Sequence, residues 1–351
     1  MSEVYFVAAD KNKNKNVRFS LVEKLERLLK KAGCSNLSGI VALKMHMGEL
    51  KNKTFIKPVY VKKMVDVVKQ HGGDPFVTDT TTIYRAGRYT AMDYYRTASA
   101  HGFHISYLGC PVIIADGLKD EGVQVNEQVE IARMIYNSDS MLIVSHATGH
   151  GASSFGGAIK NVAMGCVTKR TKLYQHEVTR PVRNPELCSR CDRCRVACKH
   201  DAIDDDHEII LENCVSCGAC MSECETGALR PPEGMSTDLQ KRLAEVAHTV
   251  LRNLPYSDSN LLYLNFLIDI TPFCDCAEFA PEYLCPDIGI LASNDIVAID
   301  MATIDMIGTH LFKGDPTIQV REAHALGIGA MEYDLIDLEL ESGAGNQKSD
   351  W

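Results

Sequence analysis

Eight cysteines between residues 188 and 224 fall in two runs, Cys188, Cys191, Cys194, Cys198 and Cys214, Cys217, Cys220, Cys224, each spaced C-x2-C-x2-C-x3-C. Thiolates at this spacing hold two four-iron clusters, the fourth cysteine of each run serving the other cube. The expected sets are Cys188, Cys191 and Cys194 with Cys224, and Cys214, Cys217 and Cys220 with Cys198. Zinc also takes C-x2-C pairs, but it rarely needs a third cysteine at the next x2 step, here present twice. Lys199 and Glu225 stand where a proline commonly follows the fourth cysteine, and that proline turns the chain without being a ligand. Two adjacent clusters accept and release single electrons, at potentials set by hydrogen bonds, charge and exposure.

A second gathering lies just upstream, in "SHATGHGASSFGGAIKNVAMGCVTKRTKLYQH" (145–176). His146 ends a predicted strand and His150 follows in the loop, where ligands of a sheet with flanking helices collect. Gly156 and Gly157 open a predicted helix whose free amides favour an anion. Lys160 sits on its first turn, placed to pair with an anion or act as a nucleophile, and His176 follows. Each residue type also serves structure; their clustering beside an electron-transfer module marks a site.

Further on, "ITPFCDCAEF" places Cys274 and Cys276 at C-x-C spacing, followed by Cys285. Such a pair holds a soft metal, closes a strained disulfide, or simply packs as small buried residues. Asp275 between them makes a wholly apolar burial costly. His46, Asp79 and Asp116 are further strand-end polar groups, whereas Cys34, Cys110 and Cys166 read as core.

Alternating periodicities frame these groups. Helices are expected at 19–33, with Ser20 and Glu23 as a capping box and Gly33 as a stop, at 57–73, near 87–101, near 127–136 and at 236–253. Strands are expected at 39–45, over "PFVTDT", at 110–116, 141–146 and 261–270, and a strand, turn and helix over 288–308. The fold class is α/β: two α/β lobes with a mostly parallel sheet, plus an inserted two-cluster ferredoxin-like domain. The pieces are core 1–183, insert 184–230, core 231–340 and a mobile tail 341–351.

A net charge of −9 and the absence of a basic stripe, "KNKNK" at 11–15 being too short, exclude a nucleic-acid partner. No charged start leads into an apolar run, so no export signal is expected. The longest apolar segment, 261–270, is broken by Asn265 and Asp269 and too short for a membrane. A cytoplasmic setting is expected, where fourteen cysteines serve metals and catalysis rather than disulfides.

"ALKMHMGE", "FVTDT", "PVIIADG", "SHATGHGASSFGGAIKNVAMGC", the cysteine runs and "DITPFCDC...PDIGILASNDIVAIDMATIDMI" together resemble a large family of iron–sulphur proteins from anaerobes, a domain of unknown function with an inserted 4Fe-4S ferredoxin. The resemblance covers nearly the whole chain and implies the fold and the clusters. The order His150, Lys160, His176 is also similar to that in nickel-pincer lactate racemases. That resemblance implies Lys160 as a tether or anion partner, His176 as a metal ligand, His150 as an acid–base group, and a pocket between lobes. Those racemases lack ferredoxin clusters.

The expected function is an oxidoreductase-type relay, electrons passing from a ferredoxin or reductase partner through two clusters to a pocket. There His146, His150, Lys160, Cys274 and Cys276 meet a small anion or a further metal or organic cofactor. The alternatives are an electron carrier or adaptor without its own site, and a redox-neutral isomerase or racemase with structural clusters.

Overall fold

A computed structural model of the chain describes residues 1–9, 20–279 and 282–341. The basic run 11–15 and nearly all of the tail lie outside the described residues. The apolar runs form β1 (Ser2–Ala8), β2 (Ile40–Met45), β3 (Asp74–Asp79), β4 (Val112–Ile114), β5 (Ser140–His146), β6 (Leu261–Leu267), β7 (Gly289–Ser293) and β8 (Tyr333–Asp337). They join in one eight-stranded sheet, ordered β8-β1-β7-β6-β5-β2-β3-β4. Seven strands run the same way, and β7 is reversed between β1 and β6.

Side chains alternate across the sheet: Leu142 and Val144 enter one core layer, Met141 and Ile143 the other. Continuous apolar strands are what a sheet covered on both faces requires. One layer is built by α1 (Leu21–Lys31), α2 (Pro58–Gln70) and α3 (Ala91–Ala100). The other is built by α4 (Ala158–Gly165), α6 (Met235–Asn253), α7 (Ile296–Ile307) and α8 (Ile318–Ala325), with α5 (Lys169–His176) beside them. Ser20 and Glu23 form the expected capping box of α1, and Cys34, Cys110 and Cys166 are core.

The α/β class and the mostly parallel sheet are as expected. The two parts of the core nevertheless share one sheet rather than forming separate lobes, because β1 inserts between β7 and β8 from the far end of the chain. A second difference lies at 127–136, where only Arg133–Tyr136 is helical and Gly122–Gln124 pairs with Glu130–Ala132. The Asn126 side chain accepts hydrogen bonds from the amides of Gln128 (2.9 Å) and Val129 (2.7 Å). That turn reverses the chain, and the alternating "VEIA" continues as strand.

A ribbon of Val182–Arg183 with Leu229–Arg230 closes the base of the cysteine-rich segment. Strands β2, β3, β5 and β6 all end at one sheet edge. From β2 the chain proceeds to β3 and β4 on one side, while β5 and β6 add on the other. The crevice beyond β2 and β5 is therefore a topological switch point, where open sheets bind ligands.

Candidate functional site

A cavity of about 830 Å³ occupies that crevice. Its walls include His46, Asp79, His146, His150, Lys160, His176, Cys274 and Cys276 from the core, and Ser216, Cys217, Gly218 and Ala219 from the cysteine-rich segment. The two gatherings of the sequence thus share one space.

The Cys274–Cys276 loop is anchored on all sides. His146 Nδ1 lies 3.0 Å from both Asp275 carboxylate oxygens, and its Nε2 lies 2.7 Å from the Ile268 carbonyl. The Asp275 carbonyl accepts the Glu49 amide at 2.9 Å, and Thr54 Oγ1 donates to its carboxylate at 3.2 Å. With both nitrogens engaged, His146 holds the loop in place. Burial opposes its charge, but the Asp275 carboxylate outweighs this and raises its pKa.

His46 Nδ1 accepts the Gly48 amide at 2.9 Å, so the proton sits on Nε2, which faces Cys276 Sγ at 3.4 Å. Cys274 and Cys276, two residues apart on this loop, both line the cavity. The Cys274 thiol, with His46 and buried Arg88, draws the Cys276 pKa well below the usual thiol value, and Cys274 is pushed up in turn. Arg88 is fixed by Glu49 (3.0 Å) and the Tyr84 hydroxyl (2.7 Å).

His150 is held on a short hairpin, Thr148–His150 against Ser154–Gly156. Its Nδ1 accepts the Ala152 and Ser153 amides at 3.2 and 3.0 Å. The ring is therefore the neutral Nε2–H tautomer, a hydrogen-bond donor on the cavity wall. Burial, then the Lys160 charge, holds its pKa well below 6.5. The same two causes hold His176 down to about 4. Neither the His176 ring nor the Lys160 ammonium has a hydrogen-bond partner among the described residues.

Gly156 and Gly157 line the cavity, yet the expected anion seat at the start of α4 is taken. Asp300, fully buried on α7, accepts the Ala158 amide at 2.7 Å and the Ile159 amide at 2.9 Å. A Cβ on Gly157 would collide with that carboxylate, so this glycine admits a structural cap.

Sequence reasoning missed a buried polar floor. Lys44 Nζ lies 2.8 Å from Asp79 and 2.7 Å from Asn161 Oδ1, and Lys172 reaches the Thr80 hydroxyl at 2.6 Å. Burial brings the Lys172 pKa down to about 8. A lysine in the apolar strand "IVALKM", and Lys172 one turn before His176, were the available signals. Asp116 serves structure instead, accepting the Thr81 amide at about 3 Å.

In the cysteine-rich segment, Cys188, Cys191, Cys194 and Cys224 ring one small cavity, and Cys198, Cys214, Cys217 and Cys220 ring another. The backbone repeats with the cysteines: Arg190 and Ser216, Asp192 and Gly218, and Asp201 and Gly227 share positive φ at a shift of twenty-six residues. A non-glycine residue so held costs about 1–3 kcal/mol and persists only where its surroundings impose it. The Ala202 amide donates to Cys198 Sγ and the Leu229 amide to Cys224 Sγ, both at 3.3 Å. Among the described residues, no three His, Cys, Asp or Glu side chains converge on a single metal ion, and no helix is long and apolar enough to cross a membrane.

A stretch of 63 residues, 18% of this chain, is 32% identical to the pyruvate synthase subunit PorD of Methanothermobacter marburgensis and covers 78% of it. The lactate racemase apoprotein of Thermoanaerobacterium thermosaccharolyticum is similar at 10% identity and a TM-score of 0.34, over 76% of this chain and 51% of that one. A protein of Thermotoga maritima is similar at 8% identity and a TM-score of 0.43, over 87% and 58%. The chain thus spans little more than half the length of these two solved structures. Residues 41–305 match the family described as a domain of unknown function, DUF362, and the chain belongs to that family.

Proposed function

We propose that the chain is an iron–sulphur redox protein that relays electrons through two four-iron clusters to a small-anion pocket at the carboxyl edge of its sheet. One observation carries the reading: Ser216, Cys217, Gly218 and Ala219 belong both to a ring of four thiols and to the wall of the cavity holding His150, Lys160 and His176. The crossed grouping of thiols, the repeated left-handed backbone and the amide-to-sulfur bonds fit two cubes. Such hydrogen bonds stabilise thiolate ligands and tune potentials. The likeness to a pyruvate synthase subunit supports a redox setting.

When bound, the clusters supply single electrons. The set with Cys217 borders the pocket, and the set with Cys191 shares no wall with it, so the latter is the entry for a ferredoxin or reductase. Within the pocket Lys160 offsets negative charge, His150 donates Nε2–H to the anion, and neutral His176 exchanges a proton. His146 and Asp275 keep the Cys274–Cys276 loop against the cavity.

Anaerobic purification with metal and sulphide analysis tests the reading. About eight iron and eight acid-labile sulphide per chain are expected, with visible absorption that bleaches under dithionite. A preparation holding zinc and no acid-labile sulphide overturns it.

A further inference from the structure

We infer that Cys274 and Cys276 form a dithiol–disulfide couple that collects electrons singly from the clusters and delivers them in pairs to a small anionic disulfide bound beside Lys160. The inference rests on the relay reading and names what receives its electrons. Both sulfurs line the cavity that Cys217 also lines. They stand two residues apart on a loop fixed by His146, Thr54 and Glu49, which holds both residues against the cavity. A C-x-C disulfide closes a small, strained ring, which makes it easy to reduce. The two sulfurs are not equivalent. His46 turns its Nε2–H onto Cys276 at 3.4 Å, the arrangement that supports a thiolate at Cys276 and leaves the proton on Cys274. Lys160, without an ion-pair partner among the described residues, lines the cavity with Arg85, Lys199 and Lys313 and is the cation on the wall that carries His150 and His176.

The Cys276 thiolate attacks one sulfur of the bound disulfide, a mixed disulfide forms, and the other half leaves as a thiolate. Cys274 loses its proton to solvent and attacks Cys276, so the second half also leaves as a thiolate and the Cys274–Cys276 bond closes. The substrate has gained two electrons and the pair has lost two. A low-potential one-electron donor protein then returns two electrons by way of the clusters. The sulfur–sulfur bond breaks, Cys276 becomes a thiolate beside His46, and Cys274 takes one proton from solvent.

The full chain, purified anaerobically with its iron and sulphide counted, is treated with oxidised glutathione, alkylated and mapped by mass spectrometry. The peptide carrying Cys274 and Cys276 is expected to lose both labels together. Cys274→Ser is expected to trap glutathione on Cys276. In a dithionite titration the oxidised wild type is expected to take up two more electrons than Cys274→Ser kept from glutathione, before bleaching is complete. Lys160→Gln is expected to slow turnover of oxidised glutathione about tenfold more than it slows turnover of the uncharged 2-hydroxyethyl disulfide.

A pair that stays fully alkylated, equal electron uptake by wild type and variant, or one zinc or nickel per chain shielding the pair, overturns the inference. The wild-type mapping decides this even if a variant fails to fold. Clusters that titrate normally beside an inert pair leave the relay standing and sink only the couple. A chain without iron and sulphide sinks the relay, and with it the supply of electrons to the pair.

Discussion

The His146 imidazole and the Asp275 carboxylate meet at 3.0 Å with both side chains almost wholly buried, their ion pair lying between the two cysteines and the sheet. Removing one partner strands the other charge in the interior. His146→Ala is expected to cost about 3–5 kcal/mol of unfolding free energy, measured by urea denaturation, and to raise the alkylation rate of Cys274 and Cys276. A loss under about 1 kcal/mol would mean that the pair is not formed.

The same pair sets a pH dependence. The His146 pKa is raised above 6.5, so its contribution is complete below 6.5 and is lost as pH rises through the higher folded value. Asp275 is lowered below 3.8, since His146 outweighs its burial. Its contribution is present above 3.8 and is lost as pH falls through the lower folded value. Thermal melts should therefore decline on the alkaline side, and His146→Gln should flatten that limb. Equal slopes for the two proteins above pH 6.5 would exclude the pair as its source.

What the sequence made legible was whatever repeats or is covalently local. The cysteine spacing, the capping box of Ser20 and Glu23 and the apolar strands each state their role within a few residues. The site was only half legible, because long-range pairing redefines single residues. His146 reads as a free strand-end histidine until Asp275 arrives 129 positions later. Gly156 and Gly157 read as an anion seat until Asp300 fills it. Lys44 was hidden in an apolar strand because its partners, Asp79 and Asn161, come from elsewhere in the chain.

The crossed thiol rings give opposite outcomes for two serine substitutions. Cys224→Ser is expected to perturb the cluster of Cys188, Cys191 and Cys194, and Cys198→Ser the one of Cys214, Cys217 and Cys220. Each should lower iron from about eight toward about four per chain and leave a different electron paramagnetic resonance signal. Only Cys198→Ser should disturb the cluster bordering the pocket. If instead Cys198→Ser spared that signal and removed the other, the fourth ligands would not cross.

Gly157 and Asp300 predict a steric effect far from any redox group. A methyl at 157 meets the carboxylate that caps α4. Gly157→Ala is expected to destabilise the chain by about 1–3 kcal/mol, read by denaturation. Asp300→Ala, which leaves the Ala158 and Ile159 amides without their side-chain acceptor and removes one of the two acceptors of Asn265, should cost a similar amount. The double variant should cost less than the sum by the carboxylate's share of the collision, the Phe155 ring still meeting the methyl. Additive losses would place the collision elsewhere.

Lys160 is the charge that organises the pocket, and its removal can be read on the histidines themselves. Burial is the larger cause holding His150 and His176 low, and the Lys160 ammonium is the next. Lys160→Gln keeps the length and removes the charge. The His176 titration should therefore move up from about 4, yet stay below 6.5 because burial remains. His150 should move the same way. His146, whose pKa is governed by burial and Asp275, should not move. Nitrogen-15 spectra of histidine-labelled chain across pH resolve the three rings, and inorganic phosphate provides a second reading, since its binding should weaken in the variant. An unchanged His150 and His176 in Lys160→Gln would mean that the ammonium does not face them, and the pocket would lose its claim to an anion.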